Sequence, residues 1–417
     1  MMKNNRGLLA VVALIVIGLL VNFLYIMNQK VELTLYFHPD KLGFITKSIE
    51  EFEQEHPKIR VKLIELPDDT NAKYEVLNNA LALENGSIDI IDSDVIWPAI
   101  FVDAGWVEPL DTYFTPEELS PLLESAIDAG TINNTLYGIP YRIDSGMLFY
   151  REDLLNKYNQ PVPKTWDQLI ATSKLIMEAE GDMYGHAGSW FEYEGLTCNY
   201  LEYLWSNDGE VFKNGDELAL DSQEAKEALT MMVDMIYKHG IVPPDVTTYT
   251  SGSVRKQFIA ENLVFMRDWP AGWKKLNADD SAVKGKVKVA PLPSFVEDGT
   301  SHGTFGGWMF MISKHSQHKE EAAEFIKFMV SEEKEKEMVV VHNYLPIVKS
   351  LYEDEDIIAQ MPFIDSMLPY FNQAKPRPRV AHYDKISYIL QNEVTKALTG
   401  QEDPNIAADN MQERISQ

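Results

Sequence analysis

The chain has 417 residues, of which 45% are apolar and 24% charged, so it is long enough for two or more domains with hydrophobic cores and has ordinary globular composition. Its 64 acidic and 37 basic side chains give a net charge of −27, a surface that repels nucleic-acid phosphates and anionic lipid headgroups. A single cysteine, Cys198, excludes an intrachain disulfide and a multi-cysteine zinc site.

The N-terminus carries an apolar segment, LLAVVALIVIGLLVNFLYIM (8–27), after the positive charges of Lys3 and Arg6. As a helix this segment would span about 30 Å, the thickness of a bilayer core. The preceding positive charge predicts that everything after it lies outside the cytoplasm. The length of the segment and its lack of a small-x-small cleavage site favour an uncleaved anchor over a removed signal peptide. Residues 1–30 are therefore predicted to be a signal anchor or signal peptide, and the rest to be membrane-anchored at the cell surface or in the periplasm, or secreted after cleavage.

The next part of the chain alternates strand and helix patterns. A helix with apolar residues at helical spacing is closed by Pro57, and a second helix is predicted over about 70–84. The strands are VELTLYF (31–37), RVKLIEL (60–66) and SIDIIDSD (87–94), and the apolar residues of the first helix are Leu42, Ile45, Ile49 and Phe52. This alternation predicts a parallel sheet with helices on both faces.

A second α/β region begins near residue 145 with the strand MLFYRED (147–153). A helix follows with Thr165 as its N-cap and Gly181 at its end, and the SEEKEKE run (331–337) is predicted to be a solvated face of a later helix. The remaining predicted elements are helices over 192–206, 223–239, 320–337 and 384–400 and strands over 287–295 and 305–313. Because no segment resembles a single linker, we expect two lobes joined by several crossings, with the ligand site in the cleft between them.

The segment FMRDWPAGW (265–273) does not suit the interior of a helix or strand, because it contains Pro270 and Gly272. Its two tryptophans, Trp269 and Trp273, are either core residues at a loop or flat surfaces for a ligand.

Motifs spread along residues 31–417 resemble the extracytoplasmic solute-binding proteins of bacterial ABC sugar importers, in particular those that bind maltose, trehalose and similar oligosaccharides. The motifs are FEQEHPKIRV (52–61), DAGWVEPLD (103–111), LYGIPYRIDSGMLFYRED (136–153), PKTWDQL (163–169), YEGLTCNYLEYLWSNDGEVF (193–212), VAPLPSF (289–295) and FGGWMFMISKHSQHKEEAAEFIKFMVS (305–331). The resemblance implies an α/β, two-lobed periplasmic-binding-protein-like fold of type II, with an N-terminal transmembrane or signal helix. It implies a monomer that closes on a sugar and docks on the membrane subunits of an ABC permease, with no cofactor and no metal. The predicted N-lobe is 31–142 plus 296–335, and the predicted C-lobe is 143–295 plus 336–417.

The resemblance also places an aromatic side chain of FMRDWPAGW in the cleft, so that Trp269 would stack on a sugar ring and Trp273 would pack beneath it. A sugar site should combine such aromatic planes with carboxylates and arginines, because a pyranose has an apolar face and a fringe of hydroxyls.

The first-lobe candidates follow predicted strands. Asp40 is either a ligand contact or the N-cap of the first helix, and Asp94 aligns with a sugar contact of the family at the carboxyl edge of the sheet, whereas Asp92 is assigned to the strand end or a cap. Tyr74 stands where relatives carry an arginine, and it either stacks on the ligand or packs on the surface. Trp308 follows Gly307, where the missing side chain lets a ligand approach the backbone.

Arg142 and Asp144 share one face of a strand at the first crossing between the lobes. They either bind neighbouring hydroxyls or pair with each other. The family has an aromatic or smaller residue in place of Arg142, so an acidic group on the sugar is one interpretation.

In the second lobe the candidates are Trp190, Glu194 and Tyr383, with helix capping as the alternative for the glutamate. A glycoside hydrolase is the rival interpretation, since carboxylates and aromatics also form its active site. A sugar-sensing receptor domain is another. The chain carries no nucleophile elbow, phosphate loop, dinucleotide fingerprint or HExxH motif, which favours binding over catalysis.

Overall fold

The structure is a computed structural model that describes residues 30–215 and 217–417. The apolar segment at 8–27 lies outside the described residues, so its role as an anchor or signal stays a prediction. Among the residues that are described, none of the helices is both long and apolar enough to cross a bilayer.

The strands are β1 (Val31–Phe37), β2 (Ile59–Glu65), β3 (Ile90–Asp94), β4 (Thr131–Ile132), β5 (Thr135–Leu136), β6 (Gly138–Ser145), β7 (Met147–Arg151), β8 (Tyr184–Ala187), β9 (Phe212–Lys213), β10 (Glu217–Leu218), β11 (Leu263–Asp268), β12 (Val287–Ala290), β13 (Thr304–Ile312) and β14 (Lys375–Pro376). The helices are α1 (Phe44–Glu55), α2 (Thr70–Leu81), α3 (Pro98–Asp103), α4 (Pro116–Leu119), α5 (Glu124–Ala129), α6 (Glu152–Lys157), α7 (Trp166–Glu180), α8 (Glu194–Ser206), α9 (Gln223–Tyr237), α10 (Ser251–Ile259), α11 (Gly272–Leu276), α12 (Lys319–Met329), α13 (Glu332–His342), α14 (Glu355–Gln360), α15 (Leu368–Phe371), α16 (Tyr383–Leu398) and α17 (Pro404–Ser416), with short 3-10 helices at Val246–Thr248 and Lys349–Tyr352.

The first sheet has the order β14-β13-β3-β1-β2, with β6 also paired to β13. Strand β1 lies parallel to β2 and β3, as the alternation of strands and helices predicts, whereas β13 runs antiparallel to β3 and β6. Every second residue of β1 (Leu33, Leu35 and Phe37) is buried, because successive side chains of a strand point to opposite faces. The long antiparallel strand β13 therefore joins the βαβ unit to β6.

The second sheet has the order β12-β7-β11-β8, in which β7 is antiparallel to both of its neighbours and β8 is parallel to β11. Helix α7 begins after Thr165, whose side chain accepts the backbone N–H of Gln168, and it ends at Gly181 with φ 91°. Both predicted ends of this helix are confirmed. Helices α8, α9, α16 and α17 pack on one another in this part of the molecule.

The chain crosses from the first sheet to the second at Gly146, between β6 and β7, and returns between β12 and β13. These crossings are bonded together, since the backbone N–H of Gly146 donates to the carbonyl of Thr304 and the hydroxyl of Tyr370 donates to the carbonyl of Gly146 at 2.8 Å. The predicted residue ranges of the lobes stay a prediction. Strand β6 continues in the first sheet to Ser145, and α13 packs on α1.

The predicted helix over 320–337 is two helices, α12 and α13, with Ser331 capping the second by accepting the N–H of Lys334. The prediction of a solvated SEEKEKE face is wrong for Lys334 and Glu335, which are 5% and 0% exposed. Glu335 accepts the N–H of Ile347 at 2.9 Å, and its burial raises the pKa of its carboxyl well above the usual range. Charge density along the sequence misses this because the segment 343–348 folds back over the helix.

Other predicted elements are shorter than expected. The third strand begins at Ile90 rather than at residue 87, and the strand predicted over 287–295 ends at Ala290, before Pro291. Leu42 precedes helix α1 and is 58% exposed, so its predicted place on the apolar face of that helix is wrong.

Candidate functional site

The two sheets meet where the end of β11 approaches β13. A Cβ atom placed on Gly306 would lie 3.1 Å from Cζ3 of Trp269 and 3.3 Å from Cβ of Asp144. The missing side chain of Gly306 therefore lets this indole approach the first sheet closely. Trp269 is half-buried, and its neighbourhood is the candidate site.

The register of the first sheet aligns the predicted residues from three strands. Trp308 in β13 stands opposite Asp94 in β3 and opposite Arg142 in β6, while Gly306 stands opposite Asp144. Residues directly opposite in antiparallel strands project to the same face. The sheet therefore brings Asp94, Arg142, Asp144 and Trp308 to one wall, which we call the first-lobe wall.

Gly307 holds the backbone of this wall. Its φ of 146° lies in the region that favours glycine, and a Cβ atom would stand 2.5 Å from the carbonyl oxygen of Arg142. Its own carbonyl accepts the N–H of Val95 at 3.2 Å. A side chain at this position would separate β13 from β6.

The indole of Trp308 is held between two side chains. Trp97 meets it edge-to-face, with ring centroids 5.6 Å apart, and Nζ of Lys73 lies 3.9 Å from its centroid. Lys73 is buried and its Nζ has no hydrogen-bond or ion-pair partner among the described residues. Burial lowers the pKa of this ammonium, while Asp92 and Asp94 oppose the shift.

Arg142 and Asp144 lie close together without a hydrogen bond. The distance from Nη1 to Oδ2 is 3.7 Å, and the guanidinium lies 3.9 Å from the ring centroid of Tyr344. Oδ1 of Asp144 and Nε of Arg142 are buried and lack a partner within the described part of the chain. Burial raises the pKa of Asp144 to about 6, although Arg142 pulls it down. A buried polar atom without a partner is costly, so these atoms are suited to a ligand.

Arg377 joins the first-lobe wall to the start of α8. Its Nη2 donates to Asp94 at 3.2 Å and its Nη1 donates to Oε1 of Glu194 at 2.7 Å. Glu194 also accepts the hydroxyls of Tyr383 and Ser387. Burial is the largest cause that raises the pKa of Asp94, and it also raises the pKa of Tyr383 well above its usual range. The buried guanidinium of Arg377 therefore bridges the first sheet and helix α8.

Comparison with known proteins identifies the family to which this chain belongs. Residues 38–336 match the family described as bacterial extracellular solute-binding protein. The chain belongs to this family. It is also similar to the probable ABC transporter-binding protein of Deinococcus radiodurans, at 28% identity over 85% of this chain and 86% of that one.

The solved structures agree. The maltose-bound MalE3 of T. maritima is 36% identical, with a TM-score of 0.87 over 93% of this chain and 99% of that one. The GacH receptor of Streptomyces glaucescens has a TM-score of 0.81 over 92% of this chain and 97% of that one, and at 22% identity it shows the fold alone. The predicted family and the two-lobed type II fold are confirmed. This solute-binding protein is an extracytoplasmic substrate-binding component of an ABC transporter, and it is a binding protein rather than a hydrolase.

A cavity of about 240 Å³ opens between the lobes of this solute-binding protein. It lies between α2 and α3 on one side and α8 and α16 on the other, and the predicted residues Tyr74, Glu194 and Tyr383 line it. The ring of Tyr74 packs 5.8 Å from Trp97 and 6.2 Å from Phe101, so it is fixed rather than free at the surface. A second cavity, of about 510 Å³, lies near Tyr184 and Leu263, within the second lobe and away from these residues.

Two predicted contacts stand apart from this group. The N-cap residue of α1 is Gly43 rather than Asp40, but the carboxylate of Asp40 accepts the N–H groups of Ile45 and Thr46 in the first turn at 3.3 and 2.8 Å. Trp190 is 0% exposed and packs edge-to-face on Tyr203. The contacts of Asp40 are thus those of a capping side chain although it is not the N-cap residue, and both ligand roles stay predictions.

The support beneath Trp269 differs from the prediction. Trp273 donates its indole N–H to the carbonyl of Gln360 at 2.8 Å and packs edge-to-face on Phe363. The group over the Trp269 ring is the guanidinium of Arg267, 3.9 Å from the centroid. Helix α11 turns Trp273 away, whereas Arg267 is two residues before Trp269 and shares its side of the chain.

Sequence reasoning missed Lys73 and Arg377. Lys73 precedes Tyr74 in a helix, where a charged side chain is expected to be exposed, and Arg377 lies in the loop KPRPR, where no periodic pattern predicts burial. The available signal at Arg377 was a basic run in a strongly acidic chain.

Proposed function

We propose that this solute-binding protein captures a di- or oligosaccharide between its lobes and delivers it to an ABC permease. The observation that carries the proposal is the half-buried ring of Trp269 near Asp144, whose Oδ1 is buried and has no hydrogen-bond partner in the described part of the chain. An aromatic plane and a carboxylate that both adjoin Gly306 offer the two surfaces that a pyranose needs. The similarity to a maltose-bound protein at 36% identity supports an α-glucoside as the first candidate.

The proposed ligand rests its apolar ring face on Trp269 and turns its hydroxyls toward the first-lobe wall. Asp144 accepts hydroxyl hydrogens, whereas Arg142 and Lys73 donate to hydroxyl oxygens. Each hydrogen bond to a charged group contributes about 1.5–3 kcal/mol. The proposed binding residues are Tyr74, Asp94, Arg142, Asp144, Glu194, Trp269, Gly307, Trp308 and Tyr383, with Lys73 and Arg377 added.

The cavity of about 240 Å³ supports a ligand longer than one ring, because it also lies between the lobes and is lined by the aromatic side chains of Tyr74, Trp97 and Tyr383. Small-molecule sites are of this kind, mainly apolar with a few polar groups, at the boundary of two lobes. We also propose that the protein is monomeric and that residues 8–27 hold it at the membrane.

Thermal unfolding with a sugar panel tests the proposal. The full chain, in a detergent without a sugar headgroup, is melted with maltose, trehalose, maltotriose, cellobiose and glucuronate. A bound ligand raises Tm by mass action, so we expect a rise with at least one glucoside and recovery of that sugar unchanged by chromatography. No rise with any sugar would refute the proposal, a rise with glucuronate alone would indicate an acidic ligand read by Arg142, and consumption of the sugar would indicate a hydrolase.

A further inference from the structure

A buried ion pair lies directly behind Trp269. Nε of Arg267, in β11, donates to Oε2 of Glu202, in α8, at 2.7 Å, and Nη2 donates to Oε1. The two residues are each 2% exposed. Such bidentate pairs fix the plane of the guanidinium as well as its position.

The same pair touches both chain crossings between the sheets. Oε1 of Glu202 also accepts the N–H of Thr304, the first residue of β13, at 3.0 Å. A Cβ atom on Gly146 would lie 1.9 Å from that oxygen and 2.3 Å from Nη2 of Arg267. The ion pair therefore packs on the backbone of one crossing and hydrogen-bonds the other.

The guanidinium of Arg267 lies over the indole of Trp269, with Cζ 3.9 Å from the ring centroid. Nη1 of Arg267 has no hydrogen-bond partner in the described ranges, so Glu202 and the ring are the contacts that hold this guanidinium. The distal edge of the indole abuts Gly306 of the first sheet. Arg267 thus fixes one face of the ring and Gly306 limits its edge.

We infer that Arg267 and Glu202 form a positioning pair, which sets the orientation of Trp269 for the ligand and ties it to the crossings between the lobes. The inference rests on the proposed function, because it treats Trp269 as the surface on which the sugar lies. Neither residue of the pair touches the sugar. If the backbone of the crossings moves when the lobes open, the hydrogen bond from Thr304 transmits the movement to Glu202. Glu202 in turn moves Arg267, which contacts the indole of Trp269.

A double-mutant cycle on the full chain tests this role. Arg267→Lys keeps the charge opposite Glu202 but removes the planar group under the indole. We expect it to weaken sugar binding roughly three- to tenfold in the presence of Trp269, which is less than the full value of a desolvated cation–π contact because the lysine retains the positive charge. Combined with Trp269→Ala, it should change the affinity less than twofold. An equal loss in both backgrounds, or no loss with Trp269 present, would overturn the inference.

Arg255→Lys is the matched control. Arg255 forms a bidentate pair with Asp268 one residue further along β11, with donor–acceptor distances of 2.7 and 2.9 Å, and is not stacked on Trp269. Its effect on affinity should be the same with and without Trp269. Coupling as strong as that of Arg267→Lys would mean that any disturbance of β11 moves the ring.

A readout without sugar separates this inference from the proposed function. The contribution of Trp269 to the near-ultraviolet circular dichroism is obtained by subtracting the spectrum of the Trp269→Ala variant from that of the unmodified protein. We expect this difference spectrum to collapse when it is measured in the Arg267→Lys background and to persist in the Arg255→Lys background. A preserved spectrum with Arg267→Lys refutes the positioning role even if sugars bind. A collapsed spectrum in a protein that binds no sugar supports the positioning role and refutes the proposed function.

Discussion

The two walls of the cleft differ in how their charged groups are satisfied. On the first-lobe wall, Asp144 and Arg142 lie 3.7 Å apart, and each keeps a buried atom that has no partner among the residues that the structure describes. On the second lobe, Glu202 and Arg267 form a bidentate pair, as do Asp268 and Arg255, and both carboxylates are fully paired although Nη1 of Arg267 is not, within the described residues. The first arrangement leaves hydrogen-bonding capacity for a ligand, whereas the second uses it to hold a surface in place. We propose from this difference that the first lobe binds the hydroxyls of the sugar and that the second presents a fixed aromatic face.

The largest expected effect is on stability. Glu202→Gln leaves the buried Arg267 without its counter-charge, which should lower the free energy of unfolding by about 3–5 kcal/mol. Asp144→Asn removes a charge that has no good partner, so it should leave the stability of the ligand-free protein unchanged or raise it. Urea unfolding measures the free energy of unfolding of both variants. A similar loss in Glu202→Gln and Asp144→Asn would mean that the two walls do not differ in how their charges are paired.

The next effect is on affinity. Asp144→Asn should weaken binding of the best sugar by about 1.5–3 kcal/mol, roughly ten- to 150-fold, because a charge-assisted hydrogen bond is lost. Calorimetric titration measures it, with Asp128→Asn, an exposed carboxylate on α5, as the control. Wild-type affinity in Asp144→Asn would mean that the first-lobe wall does not read the ligand.

The variant Trp269→Ala tests whether the second lobe binds the sugar through this ring. Removing about 60 Å² of apolar ring surface from the ligand at about 25 cal/mol per Å² costs about 1.5 kcal/mol, roughly a tenfold loss of affinity. The ring is half-buried, so the midpoint of unfolding without sugar should change little. Equal binding by the variant would count against stacking, and a large fall in stability would indicate a core residue.

The smallest expected effect is a dependence on pH. Because burial raises the pKa of Asp144 to about 6, its carboxyl favours folding when protonated. This contribution is fully present below the unfolded pKa of about 3.9 and is lost as pH rises through about 6. A sugar that needs the carboxylate should bind roughly fourfold more weakly at pH 5.5 than at 7.5.

Asp144→Asn is the control for this dependence. Asp94 also has a raised pKa, and the charges of Arg142, Arg267 and Asp268 shift the pKa of Asp144. The pH profile of sugar affinity in the variant must therefore be subtracted from that of the unmodified protein. An identical profile in the variant would assign the titration to another group.

Local patterns predicted much of this molecule. The alternation of apolar and polar residues predicted β1 with its bounds, and the capping residues predicted both ends of α7. The position of Asp94 at the carboxyl end of β3 made it a candidate for the site. The pairs that decide the site are contacts between distant segments, such as Arg377 with Asp94 and Glu202 with Arg267, separated by 283 and 65 residues. No periodicity encodes such pairs. For the same reason Glu335 appeared solvated in the sequence, although a later loop buries it.

A structure with the sugar of highest affinity bound tests the central claim most directly. We predict a pyranose ring within about 4 Å of the Trp269 indole and a sugar hydroxyl within hydrogen-bonding distance of Oδ1 of Asp144, with the Arg267–Glu202 pair intact behind the ring. A sugar bound in the cavity near Tyr184, or a bound cleft in which Asp144 keeps no partner, would contradict the account.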